Sequence, residues 1–241
     1  MADRLRAFAG RALALALALS LLLATLTAAS QQRPRLIVYL HTSTRARALQ
    51  TGLERQMPAV DVVVCSRHRD FVRELSQSPD AALALSPVLQ AHGLEANLRG
   101  QRAGAESEAY VLLSIGSTID KARFPSLVIG SVDLLGRDAT AKLVANLLGL
   151  GSPPEIKYVI KSEDLLPLLQ FGSADAVLLS EQEAQHIKTL SKLDLRATPL
   201  SARLGLAAVS FRSEAGRRLI RPSIEALDTD MKRRLGVDAW R

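Results

Sequence analysis

The sequence predicts an α/β protein of two lobes, each a mostly parallel sheet flanked by helices, joined by two hinge crossings. Three observations predict it. Short β-branched or apolar runs alternate with amphipathic helical stretches. The alternation occurs twice, from Leu36 to Ser86 and again from Ser126 to Leu190. Two further extended stretches, Tyr110 to Gly116 and Gly205 to Phe211, stand between and after those runs. Strands that alternate with helices pair in parallel, and their sheets are covered by helices on both faces.

The first run holds three βα units. Leu36 to Leu40 (LIVYL) is a buried strand, followed by a helix from Thr44 to Gln56 that Ser43 or Thr44 caps. Val60 to Cys65 is the second strand and Asp70 to Gln77 the second helix, with Phe71, Val72 and Leu75 on one face. Ala81 to Ser86 is the third strand, stopped by Pro87. The second run repeats the scheme with strands at Ser126–Val132, Ile156–Ile160 and Asp175–Ser180. Its helices fall at Ala139–Leu148, Glu163–Gln170 and Glu181–Leu190, and LDLRATPL follows as a short extended piece. The helical region from Glu214 to Leu235 returns to the first lobe. There Ile224, Leu227, Met231 and Leu235 form its buried face, and Trp240 covers the edge of that contact. The two crossing strands are expected to lie side by side. The lobes are then 30–112 with 207–241, and 113–206.

Residues 1–29 stand apart from this scheme. Arg4, Arg6 and Arg11 precede an uncharged apolar run from Ala12 to Leu26, and the small residues Thr27, Ala28 and Ala29 follow it. This is the three-part pattern of a cleavable secretory signal. An uncleaved anchor is the competing reading, but the run is shorter than the roughly twenty residues that span a bilayer. The mature chain is therefore expected in the periplasm or secreted medium. Its formal charge is +5, because the signal carries three Arg and one Asp of the chain's net +7. Both signs are interspersed, with no basic block and no interleaving of Arg with aromatics, so no nucleic-acid partner is expected. Cys65 is the only cysteine, which excludes an intrachain disulfide and, far from the cleavage site, a lipoprotein anchor.

In this order of elements the mature chain resembles the type 2 periplasmic solute-binding proteins, in particular the phosphate and phosphonate receptors of ABC importers. FPSLVIGSVDLLGRDATAKLVANLLGLG looks like the opening of that family's second lobe. SEDLLPLLQFGSADAVLLSEQEA looks like its following helix–strand–helix. The chain departs from the family in being short and in reducing the Ser-rich anion loop to Gly130 and Ser131. The resemblance implies a periplasmic-binding-protein-like fold that captures a small anionic solute, such as phosphate or phosphonate, between its lobes. A membrane permease or another envelope protein would be its partner. The alternative is an envelope interaction or sensor protein on the same fold that has lost solute binding.

Ligands of open α/β lobes sit at the carboxyl ends of strands, where helix N-termini present backbone N–H groups. That rule selects Thr42, Ser43 and Thr44 after the first strand, Ser86 after the third, Gly130 and Ser131 after the second lobe's first strand, and Ser180 after its third. Hydroxyls at helix starts suit a small oxyanion. The same residues serve equally as helix N-caps, worth about 1 kcal/mol each. Arg45, Arg47 and Arg67 flank these loops, and His41 follows the first strand. The four histidines show no zinc-ligand spacing, and no nucleophile elbow, phosphate loop or dinucleotide motif occurs, so neither catalysis nor a cofactor or metal is expected.

Overall fold

A computed structural model describes residues 33–42 and 44–241; the expected signal over residues 1–29 lies outside the described residues, as does Ser43. Two separate sheets carry the fold. The first contains β1 (Arg35–Tyr39), β2 (Asp61–Cys65), β3 (Ala81–Leu85), β4 (Leu98–Gln101), β10 (Ala207–Phe211) and β11 (Ala239–Trp240), in the order β11-β4-β10-β3-β1-β2. The second contains β5 (Ser107–Ile115), β6 (Val128–Val132), β7 (Glu155–Val159), β8 (Ala176–Ser180) and β9 (Leu195–Gly205), in the order β7-β6-β8-β5-β9. Each sheet has a parallel trio at its heart, β2-β1-β3 and β7-β6-β8, and antiparallel strands extend it.

The parallel trios are the apolar runs read above. Leu36 to Tyr39 and Ala81 to Ala84 are buried throughout, as strands covered on both faces must be. In the first lobe the covering helices are α1 (Ala46–Gln56), α2 (His68–Ser76) and α3 (Ser86–Ala91). The second lobe has α4 (Arg137–Leu148), α5 (Leu165–Gln170) and α6 (Glu181–Leu190). Pro87 does not stop a strand but sits in the first turn of α3, where its missing N–H is one the helix leaves unpaired anyway. On α2, Phe71 is buried and Val72 is exposed, because the face toward the sheet takes Phe71 and Glu74 instead. The piece LDLRATPL is the start of the 11-residue β9, which pairs along the whole length of β5.

The crossings fall elsewhere than expected. β5 lies entirely in the second sheet, between β8 and β9, and β10 lies in the first, between β3 and β4. Tyr110–Gly116 and Gly205–Phe211 are therefore not paired crossing strands. Tyr110 and Leu112 feed one core of the second lobe while Val111 and Leu113 feed the other, so the run is a central strand buried on both faces. The chain passes out through a turn at Ala103–Gly104, both with positive φ, and back at Gly205–Leu206. The two passages touch where Leu206 N–H donates to the Glu106 carbonyl at 2.9 Å.

The C-terminal region splits into α7 (Glu214–Glu225) and α8 (Thr229–Arg234), the second opened by Asp228, whose carboxylate accepts from Met231 N–H at 2.7 Å. Ile224, Leu227, Met231 and Leu235 are buried in the core of the first lobe, and Trp240 packs at its margin in β11. The region thus docks on the first lobe as its helical spacing indicates.

Gly205 is the tightest point of the return passage. A Cβ there would lie 2.7 Å from Ser86 Cβ and 2.9 Å from its Oγ, the hydroxyl that donates to the Leu206 carbonyl at 2.9 Å. Gly205→Ala is expected to cost about 1–3 kcal/mol by overpacking. Urea unfolding measures it, and a loss below half a kcal/mol would show that the passage yields.

Candidate functional site

The carboxyl ends of β1, β3, β6 and β8 face one another across the lobes and enclose a cavity of about 570 Å³. Leu40, His41, Thr42 and Thr44 line it from the loop after β1, and Leu85 from the end of β3. Ser131, Val132 and Leu134 line it from β6 and the loop after it, and Ser180 and Glu183 from the start of α6. The passages between lobes contribute Arg102, Glu108 and Leu206, and the loop after α8 contributes Gly236.

The residues selected from the sequence divide here. Thr42, Thr44, Ser131 and Ser180 line the cavity, whereas Ser86 and Gly130 do not. Ser86 spends its hydroxyl on the Leu206 carbonyl and belongs to the return passage. Gly130 is a packing glycine. A Cβ on it would meet Val177 at 2.8 Å and Leu168 at 2.9 Å, so its absence lets α5 lie close against β6. Thr42 Oγ1 accepts from Thr44 N–H at 3.2 Å, a local turn bond. Ser131 is buried, with only a long contact of 3.3 Å to the Val132 carbonyl. Ser180 caps α6 in a full capping box with Glu183. That carboxylate also accepts from Ser162 Oγ at 2.8 Å, which ties the loop after β7 to the start of α6. Of the flanking cations, Arg45 and Arg47 line an open groove between α1 and α8 rather than the cavity.

Sequence reasoning missed the ion pair of Arg102 with Glu108, 2.8 Å apart at the passages. Arg102 also donates to the Gly236 carbonyl. Burial pushes the Glu108 carboxyl up, and the Arg102 guanidinium opposes it. Tyr110 is buried beside them, its phenol pushed far up by burial and then by the Glu183 and Glu108 carboxylates. A rule that searches the ends of strands passes over Glu108 and Tyr110, which stand near the start of β5, and Arg102, which follows β4, a strand the sequence did not reveal. Glu183 was recoverable, since Ser180–Glu183 has the S-x-x-E spacing of a capping box.

A second cluster joins the lobes beside the cavity. Tyr39 of β1 donates its hydroxyl to the Asp133 carbonyl of the second lobe at 3.0 Å. The Tyr39 oxygen then accepts from His41 Nε2 at 2.8 Å, which assigns the hydrogen to that nitrogen. His68 and His92 meet through their Nε2 atoms at 3.0 Å, so one must donate and the other accept. Tyr39 stacks on Phe71, with ring centroids 5.2 Å apart. Across the cleft, Leu135 packs on this core, and the Cβ position of Gly136 is 3.5 Å from His68 Nδ1. Burial lowers the His41 pKa to about 4, against the opposing pull of the Ile160 carbonyl and the Asp133 carboxylate. Burial lowers those of His68 and His92 as well. Among the described residues no group of three or more His, Cys, Asp or Glu could hold a metal ion.

No family model matches the chain, and no curated protein matches its sequence. Solved structures do match. The periplasmic VFT2 domain of BvgS from Bordetella pertussis is 12% identical with a TM-score of 0.55, covering 85% of this chain and 93% of that one. Tv2483 bound to L-arginine is 8% identical with a TM-score of 0.60, covering 87% and 94%. XAC2383 from Xanthomonas citri bound to ATP is 13% identical with a TM-score of 0.55, covering 84% and 94%. The chain shares their fold, that of two-lobed periplasmic-binding-protein-like domains.

Proposed function

We propose that the protein is an exported binding module, not an enzyme, that holds a small organic solute between its lobes and presents it to a membrane permease. The cavity carries this reading. It lies at the carboxyl ends of strands from both sheets, it is lined from both lobes, and its volume suits a small-molecule site. The structures that share the fold, with L-arginine in one and ATP in another, support the class of function. Phosphate and phosphonate, the solutes implied by the resemblance, find little support in a lining rich in leucine.

Thermal unfolding of the purified protein tests the reading against phosphate, methylphosphonate, sulfate, L-arginine, ATP and a set of neutral organic solutes. A bound solute raises stability by about 2.7 kcal/mol at a hundredfold excess over its Kd. A flat response to every member of the panel overturns the reading. One observation favours the second reading, an envelope interaction or sensor module. Tyr39, His41, Leu135 and His68 join the lobes with the chain's own side chains. Copurification of an envelope protein, together with the flat response, would establish that reading.

A further inference from the structure

The charges around the cavity point to the class of solute, an inference that rests on the solute-binding reading above. In the inner wall the Arg102 guanidinium is paired with Glu108 at 2.8 Å and with the Gly236 carbonyl. The Glu183 carboxylate accepts from Ser162 Oγ at 2.8 Å, from Ser180 Oγ at 3.0 Å and from Ser180 N–H at 3.1 Å. At the exposed rim, Lys161 lies 3.7 Å from Glu163, and Arg234 lies 2.8 Å from Asp230. Arg233, also at the rim, is exposed to solvent. The inner wall therefore holds one cation and two carboxylates, each already hydrogen-bonded within the protein.

An anion placed against that wall would meet two carboxylates, and a cation would have to share a carboxylate that the protein's own donors already engage, so both are costly. Leucines from both lobes make up much of the remaining surface, Leu40, Leu85 and Leu235 on the first and Leu143, Leu178 and Leu204 on the second, with uncharged hydroxyls such as Thr42, Thr44 and Ser131 between them. Tyr110 lines the same space, and its hydroxyl, without a hydrogen bond among the described residues and not sealed from solvent, opens onto the cavity. A phenol open to such a cleft offers a solute one hydrogen-bonding partner.

We propose that the cleft takes an uncharged organic solute with an apolar body and one hydrogen-bonding group that meets the Tyr110 hydroxyl. Such a solute fills a space many times the size of an inorganic oxyanion and leaves the ion pairs of the wall intact. The solutes seen in the structural neighbours named above, L-arginine and ATP, are charged, so this cleft would have turned the same architecture to different chemistry.

The test compares solutes of one body and different charge. N-phenyl-1-naphthylamine, an uncharged apolar fluorophore, is titrated into the purified protein, and 1-octanol, octanoate and octylamine compete for it. The expected result is saturable one-to-one probe binding, displaced by 1-octanol at a concentration at least tenfold lower than by octanoate or octylamine. L-arginine, phosphate and methylphosphonate should not displace it. Leu143→Glu, on a half-buried wall position, should weaken the probe at least tenfold. Tyr110→Phe should weaken 1-octanol several-fold and more than it weakens the probe. Equal or tighter competition by a charged member overturns the inference and leaves the solute-binding reading standing. So does stabilisation by L-arginine or phosphate without any probe binding. Failure of every compound, charged and uncharged, overturns both.

Discussion

Acidification from pH 7 to pH 4 is expected to cost the fold about 3 kcal/mol through His41 alone. His41 has a folded pKa of about 4 against 6.5 for the free side chain, and burial is the main cause. The folded state thus resists a proton that the unfolded chain accepts. The contribution is complete above pH 6.5, is lost progressively as pH falls, and levels off below pH 4. His68 and His92 act in the same direction, through burial and, for His68, the proximity of His92. The Asp133 carboxylate, facing His41 and His68 from the second lobe, opposes the loss without reversing it. Urea unfolding at pH 7, 5.5 and 4 measures the slope, and His41→Gln should flatten most of it. A wild-type curve that is level over this range would show that the His41 ring is open to water.

Phe71→Ala is expected to remove about 3–5 kcal/mol. Phe71 is fully buried, stacks on Tyr39 and meets the edge of the His92 ring. Truncation leaves a cavity under two rings at once, and both Tyr39 and His92 belong to the cluster that joins the lobes. For a chain of this size the melting temperature should fall by about 10 °C. Phe71→Leu keeps most of the volume and should cost less than about 1.5 kcal/mol. A loss of similar size in both variants would mean that the ring's contacts, and not its volume, set the cost. A small loss in both would mean that the cluster is carried by Tyr39 and Asp133 without support from beneath.

Much of the fold was legible because the parallel trios are written in local patterns. Leu36–Tyr39, Val62–Cys65 and Ala81–Ala84 are apolar in unbroken runs, and a strand buried on both faces needs little else. The antiparallel additions were less visible. β4, LRGQ, is polar at alternate positions and contains a glycine, and β11 is only two residues long, so neither differs from loop by composition. β5 was read as a crossing because it stands between the two βα runs, although its double-sided burial was present in YVLLSI. At the candidate site, the rule of strand ends found Thr42, Thr44, Ser131 and Ser180. It could not separate these from Ser86 and Gly130, whose roles depend on Leu206 and Leu168, far away in sequence. The pairing of Arg102 with Glu108 arises from a six-residue turn, and nothing periodic marks it.

The order of strands also sets the order in which the lobes can form. The second sheet uses one continuous segment, residues 107–205, and each of its strands finds its neighbours within that segment. The first sheet is discontinuous, because β10 sits between β3 and β4. Until residues 207–211 emerge, β4 has no partner and β3 lacks one of its two. Closing that sheet also requires a loop of more than a hundred residues, which is slow compared with local pairing. On a growing chain the inserted lobe therefore assembles first. The N-terminal strands β1, β2 and β3 wait with one edge open, the interval in which a chaperone has most to protect.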